Sequence, residues 1–326
     1  MKIGIIGGGP AGTFTAKKLK ALLPEAEIVL YDSGICGLYT KLRMPEFIAN
    51  DLPKEKLIMA SPEQLKADGI DLRCGVTVSS LDAAGRSIRT SDGNSETFDK
   101  IILATGANPV LPGIPGLNQR QNVYLLRSLS DAERIHSAAE KADRSWAVIG
   151  GGVLGLELAF ALSRRGRKVT VLEALDRLLP RLLSPAQSEE LRNLLESGGV
   201  QVRVGCRIGE VTADAIRLSD EVIAADELGV SAGICPEIRL AKEAGLHCGR
   251  GICVNEQLMT SADGIYAAGD CAEQNGVTGG LWMAAKGQGE ALAEIIAEKR
   301  DNYVYPAYLP VLKIAGLDLS AVKKIK

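Results

Sequence analysis

The chain has 326 residues, 46% of them apolar and 24% charged, the proportions of a folded globular protein and not of a disordered or fibrous one. Forty acids against 38 bases leave a net charge of −2 and aromatics are only 4%, so neither the charge balance nor the ring content suits nucleic acid. Length allows two or three domains of roughly 100–200 residues each. The sequence opens directly on an apolar run, without a charged lead and cleavage site, and its seven cysteines are an odd number. A reducing, cytoplasmic setting without structural disulfides is therefore expected.

Residues 2–6 predict a strand that halts at Gly7, Gly8, Gly9, Pro10, Ala11 and Gly12. Residues 13–22 then place small or apolar side chains at helical spacing, Pro24 stops the helix, and residues 27–31 make a second strand ending at Asp32. Residues 64–69 close a helix, and residues 76–78 and 87–90 alternate as antiparallel strands around a turn at Ser91, Asp92, Gly93 and Asn94. A buried strand at 100–104 leads to Thr105 and Gly106, and the proline- and glycine-rich stretch 108–116 marks a linker. The opening pattern then recurs 143 residues on, from Gly7 to Gly150: strand 146–149, a glycine turn, helix 156–165, and strand 168–172 ending at Glu173. Residues 146–163 are long and apolar enough to mimic a membrane span, but Glu157 and four glycines make them a strand, turn and helix. Strands at 200–204, 215–218 and 228–233 follow, then segments 251–255 and 264–270, a last helix over 281–297, and a short tail.

A glycine turn between a strand and a helix lets a pyrophosphate approach backbone N–H groups at the positive end of the helix dipole, where side chains would block it. Gly7 gives the tight turn, Gly9 admits the phosphates, and Gly12 lets helix and strand pack; Gly150, Gly152 and Gly155 match the same three roles. The acid at the tip of the following strand can accept hydrogen bonds from a ribose diol: Asp32 follows Gly12 by 20 residues and Glu173 follows Gly155 by 18. Two bound dinucleotides follow from two such units. Glu173 suits a free 2′-hydroxyl and repels a 2′-phosphate, so NADH is expected ahead of NADPH, with Arg177 the nearest base downstream.

With these residues assembled, the chain resembles the pyridine nucleotide–disulfide oxidoreductase superfamily over nearly its whole length, closest in motif to the NADH:rubredoxin reductase and nitrite reductase-type branch. Gly7, Gly9, Pro10, Ala11 and Gly12, with Asp32 and Ser33, are similar to the family's FAD fingerprint, and Ala104-Thr105-Gly106 to its short A-T-G crossing. Gly150, Gly152, Val153, Leu154 and Gly155, followed by Glu157 and Glu173, resemble its NAD fingerprint, which Gly233 closes. Gly269-Asp270 resembles the late motif that holds the flavin's ribityl or pyrophosphate part, and Trp282 opens the helix that abuts the flavin ring. Tyr39-Thr40-Lys41 with Met44-Pro45 matches a segment that would set Lys41 near the flavin, where a cation stabilises the reduced ring; the glutamate matching Glu157 lies near the nicotinamide. Lys41 and Glu157 are thus the candidate catalytic residues, and Glu157 also reads as a solvated acid at a helix N-terminus. Trp282 reads equally as plain core.

The resemblance implies an α/β protein of two Rossmann-like domains with small antiparallel crossover sheets. The FAD domain, 1–110 and 237–302, would be split by an inserted NAD domain, 111–236, with 303–326 a remnant of a truncated interface domain. It implies FAD and NADH as cofactors, hydride transfer from NADH to flavin, and onward electron transfer to a small redox protein such as rubredoxin. With so short a tail a monomer or weak dimer is expected, with no membrane or nucleic-acid partner. The rivals are a disulfide or coenzyme A disulfide reductase using Cys36, and a non-catalytic dinucleotide-binding subunit of a redox complex. Cys36 lies only four residues after Asp32 and reads as a loop thiol; Cys248 and Cys253 have the spacing of a redox pair but fall where a surface hairpin is expected. No metal-ligand clustering is seen, and His136 and His247 read as packing or surface residues. The basic run Arg164, Arg165, Arg167 and Lys168 could dock an acidic partner or simply close a helix.

Overall fold

In the strand Lys2–Ile6, Ile3 and Ile5 point to one side of the sheet and Ile6 to the other; in Glu27–Asp32, Ile28 and Leu30 oppose Val29 and Tyr31. Both sets are buried, so this sheet is covered on both faces, as a parallel sheet must be. The computed structural model describes residues 1–306, Leu312, and the backbone of two short strands, Lys313–Ile314 and Leu317–Asp318. The expectation that the tail opens an interface domain falls largely outside these residues.

The chain divides into two units. In the first, residues 1–40, 58–108 and 234–306, five parallel strands run in the order Ile265–Ala267, Lys100–Leu103, Lys2–Ile6, Glu27–Asp32, Asp71–Cys74. Helices Pro10–Leu22 and Trp282–Ile296 pack closely on one another, because Gly289 presents no side chain: a Cβ there would lie 2.3 Å from the Ala11 carbonyl. Thr15 seals the contact, its hydroxyl donating to the carbonyls of Ala11 at 2.7 Å and Gly289 at 2.9 Å.

The second unit, residues 41–57 and 109–233 with the described part of the tail, repeats this order: Val123–Leu125, Glu227–Val230, Ser145–Ile149, Lys168–Leu172, Val200–Arg203, again all parallel. Each unit also carries a three-stranded antiparallel sheet, Val78–Asp82, Ser87–Thr90 and Ser95–Thr97 in the first, Ile208–Val211, Ala215–Leu218 and Val222–Ala224 in the second. The repeat visible in the glycine turns thus extends to four strands of each sheet and to the antiparallel sheet, while the fifth, edge strand comes last in the chain in the first unit (Ile265–Ala267) and first in the second (Val123–Leu125).

The structure differs from the sequence-based expectations at several points. The turn at 91–94 joins Ser87–Thr90 to Ser95–Thr97, while Val78–Asp82 pairs with Ser87–Thr90 across a separate turn, where the Asp82 carboxylate accepts from the N–H groups of Ala84 and Gly85. The glycine helices begin at Pro10 and Val153, three residues earlier than read, so Gly12 and Gly155 lie inside them. Two helices, Leu129–Ala138 and Pro185–Ser197, were not anticipated; each opens on a reciprocal capping box, Ser128 with Asp131 and Ser184 with Gln187. Segment 41–57, grouped by sequence with the first domain, belongs to the second unit, where Phe47 stacks on His136 at 4.7 Å and Arg165 donates to the Ile48 carbonyl. The stretch at 146–163 is a strand, turn and helix, and among the described residues no helix is long and apolar enough to cross a membrane.

Candidate functional site

The carboxyl ends of the parallel strands carry most of the candidate residues of each unit, the edge where open α/β sheets bind ligands. In the first unit Gly7 follows the central strand with φ +117°, a region open to glycine, and its N–H donates to the Tyr31 carbonyl at 2.8 Å. A Cβ on Gly7 would lie 2.1 Å from the Ala104 carbonyl, and one on Gly12 would lie 2.0 Å from the Gly7 carbonyl. A Cβ on Gly9 would meet nothing within 4 Å. The second unit repeats this to within a few tenths of an ångström: 2.2 Å from Gly150 to the Ser231 carbonyl, 2.1 Å from Gly155 to the Gly150 carbonyl, and open space at Gly152. The outer glycines are closed by backbone and the middle one faces a void.

That void sits at a helix N-terminus with no side-chain cap. Serine caps Pro62–Ala67, Leu129–Ala138 and Pro185–Ser197, whereas Gly9 and Gly152 supply no capping atom. The first helical bonds run from Thr13 to Gly9 and from Leu156 to Gly152, so the N–H groups of Ala11 and Gly12, and of Val153, Leu154 and Gly155, precede the intrahelical ladder. Uncapped N–H groups at a helix N-terminus, with open space beside the middle glycine, fit a pyrophosphate.

The acids lie beside these turns. Asp32 accepts from the Gly34 N–H at 3.0 Å, and its carboxylate stands over Gly8, where a Cβ would be 2.3 Å away. Glu173 accepts from the Gly151 N–H at 2.6 Å and from the Leu175 N–H at 2.8 Å. The A-T-G crossing is fixed by Thr105, whose hydroxyl donates to the Glu237 carbonyl at 2.6 Å, and Gly106 accepts from the Glu237 N–H. Gly269 follows the edge strand with φ +84°, and its N–H donates to the buried Gln288 amide at 2.7 Å, which also places Asp270 at the strand end. Trp282 begins its helix with its ring edge-on to Phe14 at 5.7 Å and its indole N–H buried without a partner.

The structure therefore gathers Gly7, Gly9, Pro10, Ala11, Gly12, Asp32, Ser33, Ala104, Thr105, Gly106, Gly269, Asp270 and Trp282 within one unit, and Gly150, Gly152, Val153, Leu154, Gly155, Glu157, Glu173 and Gly233 within the other. Glu157 is 8% exposed, which corrects its reading as a solvated acid. Lys41, itself half-buried, opens the 3₁₀ turn Lys41–Arg43 of the second unit.

Other candidates resolve into packing. Arg164 pairs with Asp51, Arg165 with Glu140 and the carbonyls of Ile48 and His136, and Arg167 bonds the Arg165 carbonyl, so the three arginines of this run are engaged within the unit, while Lys168 is exposed. Burial, reinforced by the Arg165 charge, holds His136 below the ordinary histidine value. Cys248 pairs across its hairpin with Ile252 while the Cys253 N–H donates to the His247 carbonyl, so the two thiols leave opposite faces. Sequence reading missed Glu227, 1% exposed, whose carboxylate accepts from the Tyr124 hydroxyl at 3.0 Å; burial and that contact push the tyrosine up to about 12. An acid immediately before the apolar run predicted at 228–233 was the available signal; the strand itself begins at Glu227.

Two phosphate cradles of one design define a two-dinucleotide α/β protein. A family profile described as pyridine nucleotide-disulphide oxidoreductase matches residues 1–289. The chain is 32% identical, over 99% of its length, to the assimilatory nitrate reductase electron transfer subunit of Bacillus subtilis, of which it spans 42%. It is 32% identical to the rubredoxin-NAD(+) reductase of Alcanivorax borkumensis, covering 92% of this chain and 80% of that one. Among solved structures it is similar to the covalent putidaredoxin reductase–putidaredoxin complex, with 28% identity, a TM-score of 0.87, and 93% and 76% of the two chains covered. The chain belongs to the pyridine nucleotide-disulphide oxidoreductase family, and with that membership come the oxidoreductase class and the pairing of FAD with a nicotinamide.

Proposed function

We propose that the first unit binds FAD and the second NADH, and that the protein passes electrons from NADH through the flavin to a small redox protein of the rubredoxin type. The observation that carries this is the doubled cradle, with a void at Gly9 and Gly152, an uncapped helix end behind each, and an acid at the neighbouring strand tip. FAD supplies the chemistry itself, accepting a hydride and releasing electrons singly.

The chain's own residues bind and orient. The N–H groups of Ala11 and Gly12 would hold one pyrophosphate and those of Val153, Leu154 and Gly155 the other, while Asp32 and Glu173 would accept from ribose hydroxyls. The Glu173 charge disfavours a 2′-phosphate, so NADH is the expected donor. Asp270 and Trp282 would serve the flavin within the first unit, and Glu157 the nicotinamide within the second, which also holds Lys41. The relatives' names, an electron transfer subunit and a rubredoxin reductase, support a protein acceptor.

The test is anaerobic mixing with NADH, followed by turnover against rubredoxin, ferredoxin, low-molecular-mass disulfides and oxygen. Bleaching of the yellow absorbance and preferential turnover of an iron–sulfur or rubredoxin centre, unchanged in Cys36→Ser, is expected. Material that stays colourless after flavin is supplied, or turnover of disulfides that Cys36→Ser abolishes, would overturn the reading.

A further inference from the structure

The strands Glu27–Asp32 and Asp71–Cys74 end side by side, with Asp32 opposite Cys74. Beyond that point the two segments remain joined: the Val76 N–H donates to the Asp32 carbonyl at 3.1 Å and the Gly75 N–H to the Gly34 carbonyl at 2.9 Å. The Ile35 side chain, 75% exposed on its outer side, comes within 3.6 Å of where a Gly75 Cβ would stand. The loop holding Cys36 is thus tied, residue by residue, to the strand end holding Cys74. A disulfide needs Cα atoms about 4.4–6.8 Å apart, and Gly34 gives the loop freedom to adjust. Both thiols are free and half-buried, hence reachable by a small oxidant.

The other cysteines lack this arrangement. Cys271 is fully buried, with its thiol donating to the Leu103 and Ala268 carbonyls, and Cys248 and Cys253 point to opposite faces of their hairpin.

We propose that Cys36 and Cys74 form a reversible disulfide on exposure to a peroxide, a modification site at the rim of the first glycine turn. The Cys36 thiolate attacks the O–O bond, giving a sulfenic acid and one water. The Cys74 thiol then displaces the sulfenic oxygen as a second water, so two thiols are oxidised to S–S and one peroxide is reduced to two waters. Burial and the Asp32 charge push the Cys74 thiol up, which suits it to resolve and not to attack. The bond would fasten the loop after Asp32 to the neighbouring strand, and a dithiol reductant would release it. This site stands independently of which dinucleotide the unit binds.

The experiment treats the flavin-loaded protein with hydrogen peroxide, blocks free thiols by alkylation and maps peptides without reduction. A linked peptide joining Cys36 to Cys74 is expected, together with a thiol titre in denaturant lower by two than the seven of the untreated chain. Dithiothreitol restores both, and Cys36→Ser and Cys74→Ser each remove the linked peptide while Cys253→Ser keeps it. Oxidation of Cys36 to sulfinic acid with Cys74 intact, or cross-links scattered among the other cysteines, would overturn the proposal; the untreated and treated wild-type chains alone decide it.

Discussion

At the residue scale the glycines of each turn separate folding from binding. Gly152 faces open space, so Gly152→Ala should cost under about 1 kcal/mol of stability, the N-cap preference of glycine over alanine. The new methyl enters the space assigned to phosphate, and the Kd for NADH should rise at least about tenfold, or 1.4 kcal/mol. Gly155→Ala places its methyl 2.1 Å from the Gly150 carbonyl and should instead cost about 1–3 kcal/mol of stability by overpacking. Urea titration and NADH binding of the two variants check the contrast; equal binding loss with equal destabilisation would remove the phosphate from Gly152. Glu173 carries a different kind of selectivity. Its two oxygens are held by the N–H groups of Gly151 and Leu175, so Glu173→Gln keeps the side chain's length while removing the charge. Hydrogen bonds to a charged group contribute about 1.5–3 kcal/mol, so the preference for NADH over NADPH should shrink by roughly tenfold or more, read as the ratio of kcat/KM values.

At the scale of elements, what was legible in the sequence was what is local. Each glycine turn is written in a dozen consecutive residues, and the strands before and after it announce themselves by apolar runs, so the central βαβ of both units could be read directly. The acids, at the ends of those strands, came with them. The helices Leu129–Ala138 and Pro185–Ser197 are polar overall, each burying a single stripe (Leu129, Ala132, Ile135 and Ala138 in the first), and their plainest sign was Ser128-x-x-Asp131 and Ser184-x-x-Gln187, a capping signature that a search for apolar runs passes over. Segment 41–57 was beyond local reading, because its place is set by the stack of Phe47 on a histidine 89 residues away (136 − 47) and by ion pairs of Lys54 with Glu133 and Arg164 with Asp51. That stack yields a pH dependence. Folding holds His136 below its ordinary value of 6.5, by burial first and the Arg165 charge second, against a smaller pull from Glu140. The folded state therefore binds fewer protons there, and the contribution is complete above about pH 6.5 and is lost as the pH falls through the folded value. The urea midpoint of the second unit should drop between pH 8 and pH 5, and His136→Phe, which keeps a stacked ring without a proton to gain, should flatten that part of the profile. An unchanged slope in the variant would place the pH dependence elsewhere.

At the scale of the whole molecule, each of the two units carries its own glycine turn, with open space at its middle glycine. The two ligands should therefore be separable by mutation although the chain is one. A ligand that binds only the folded state stabilises it by RT ln(1 + [L]/Kd), about 2.7 kcal/mol at a hundredfold excess over Kd. For a unit of this size that corresponds to a rise in melting temperature of roughly 5–10 °C. FAD should produce such a shift in the wild-type protein and none in Gly9→Val, whose side chain fills the first void; the shift with NAD(+), the oxidised ligand that avoids turnover, should persist there. Gly152→Val should show the reverse, a normal FAD shift and no response to NAD(+). The crossed pattern is what distinguishes two cradles from one, because a variant that merely weakened the fold would lower the starting temperature while leaving both shifts in place. If Gly9→Val instead removed the NAD(+) response and spared that of FAD, the two cofactors would have to be exchanged between the units, and the assignments of Asp32 and Glu173 exchanged with them.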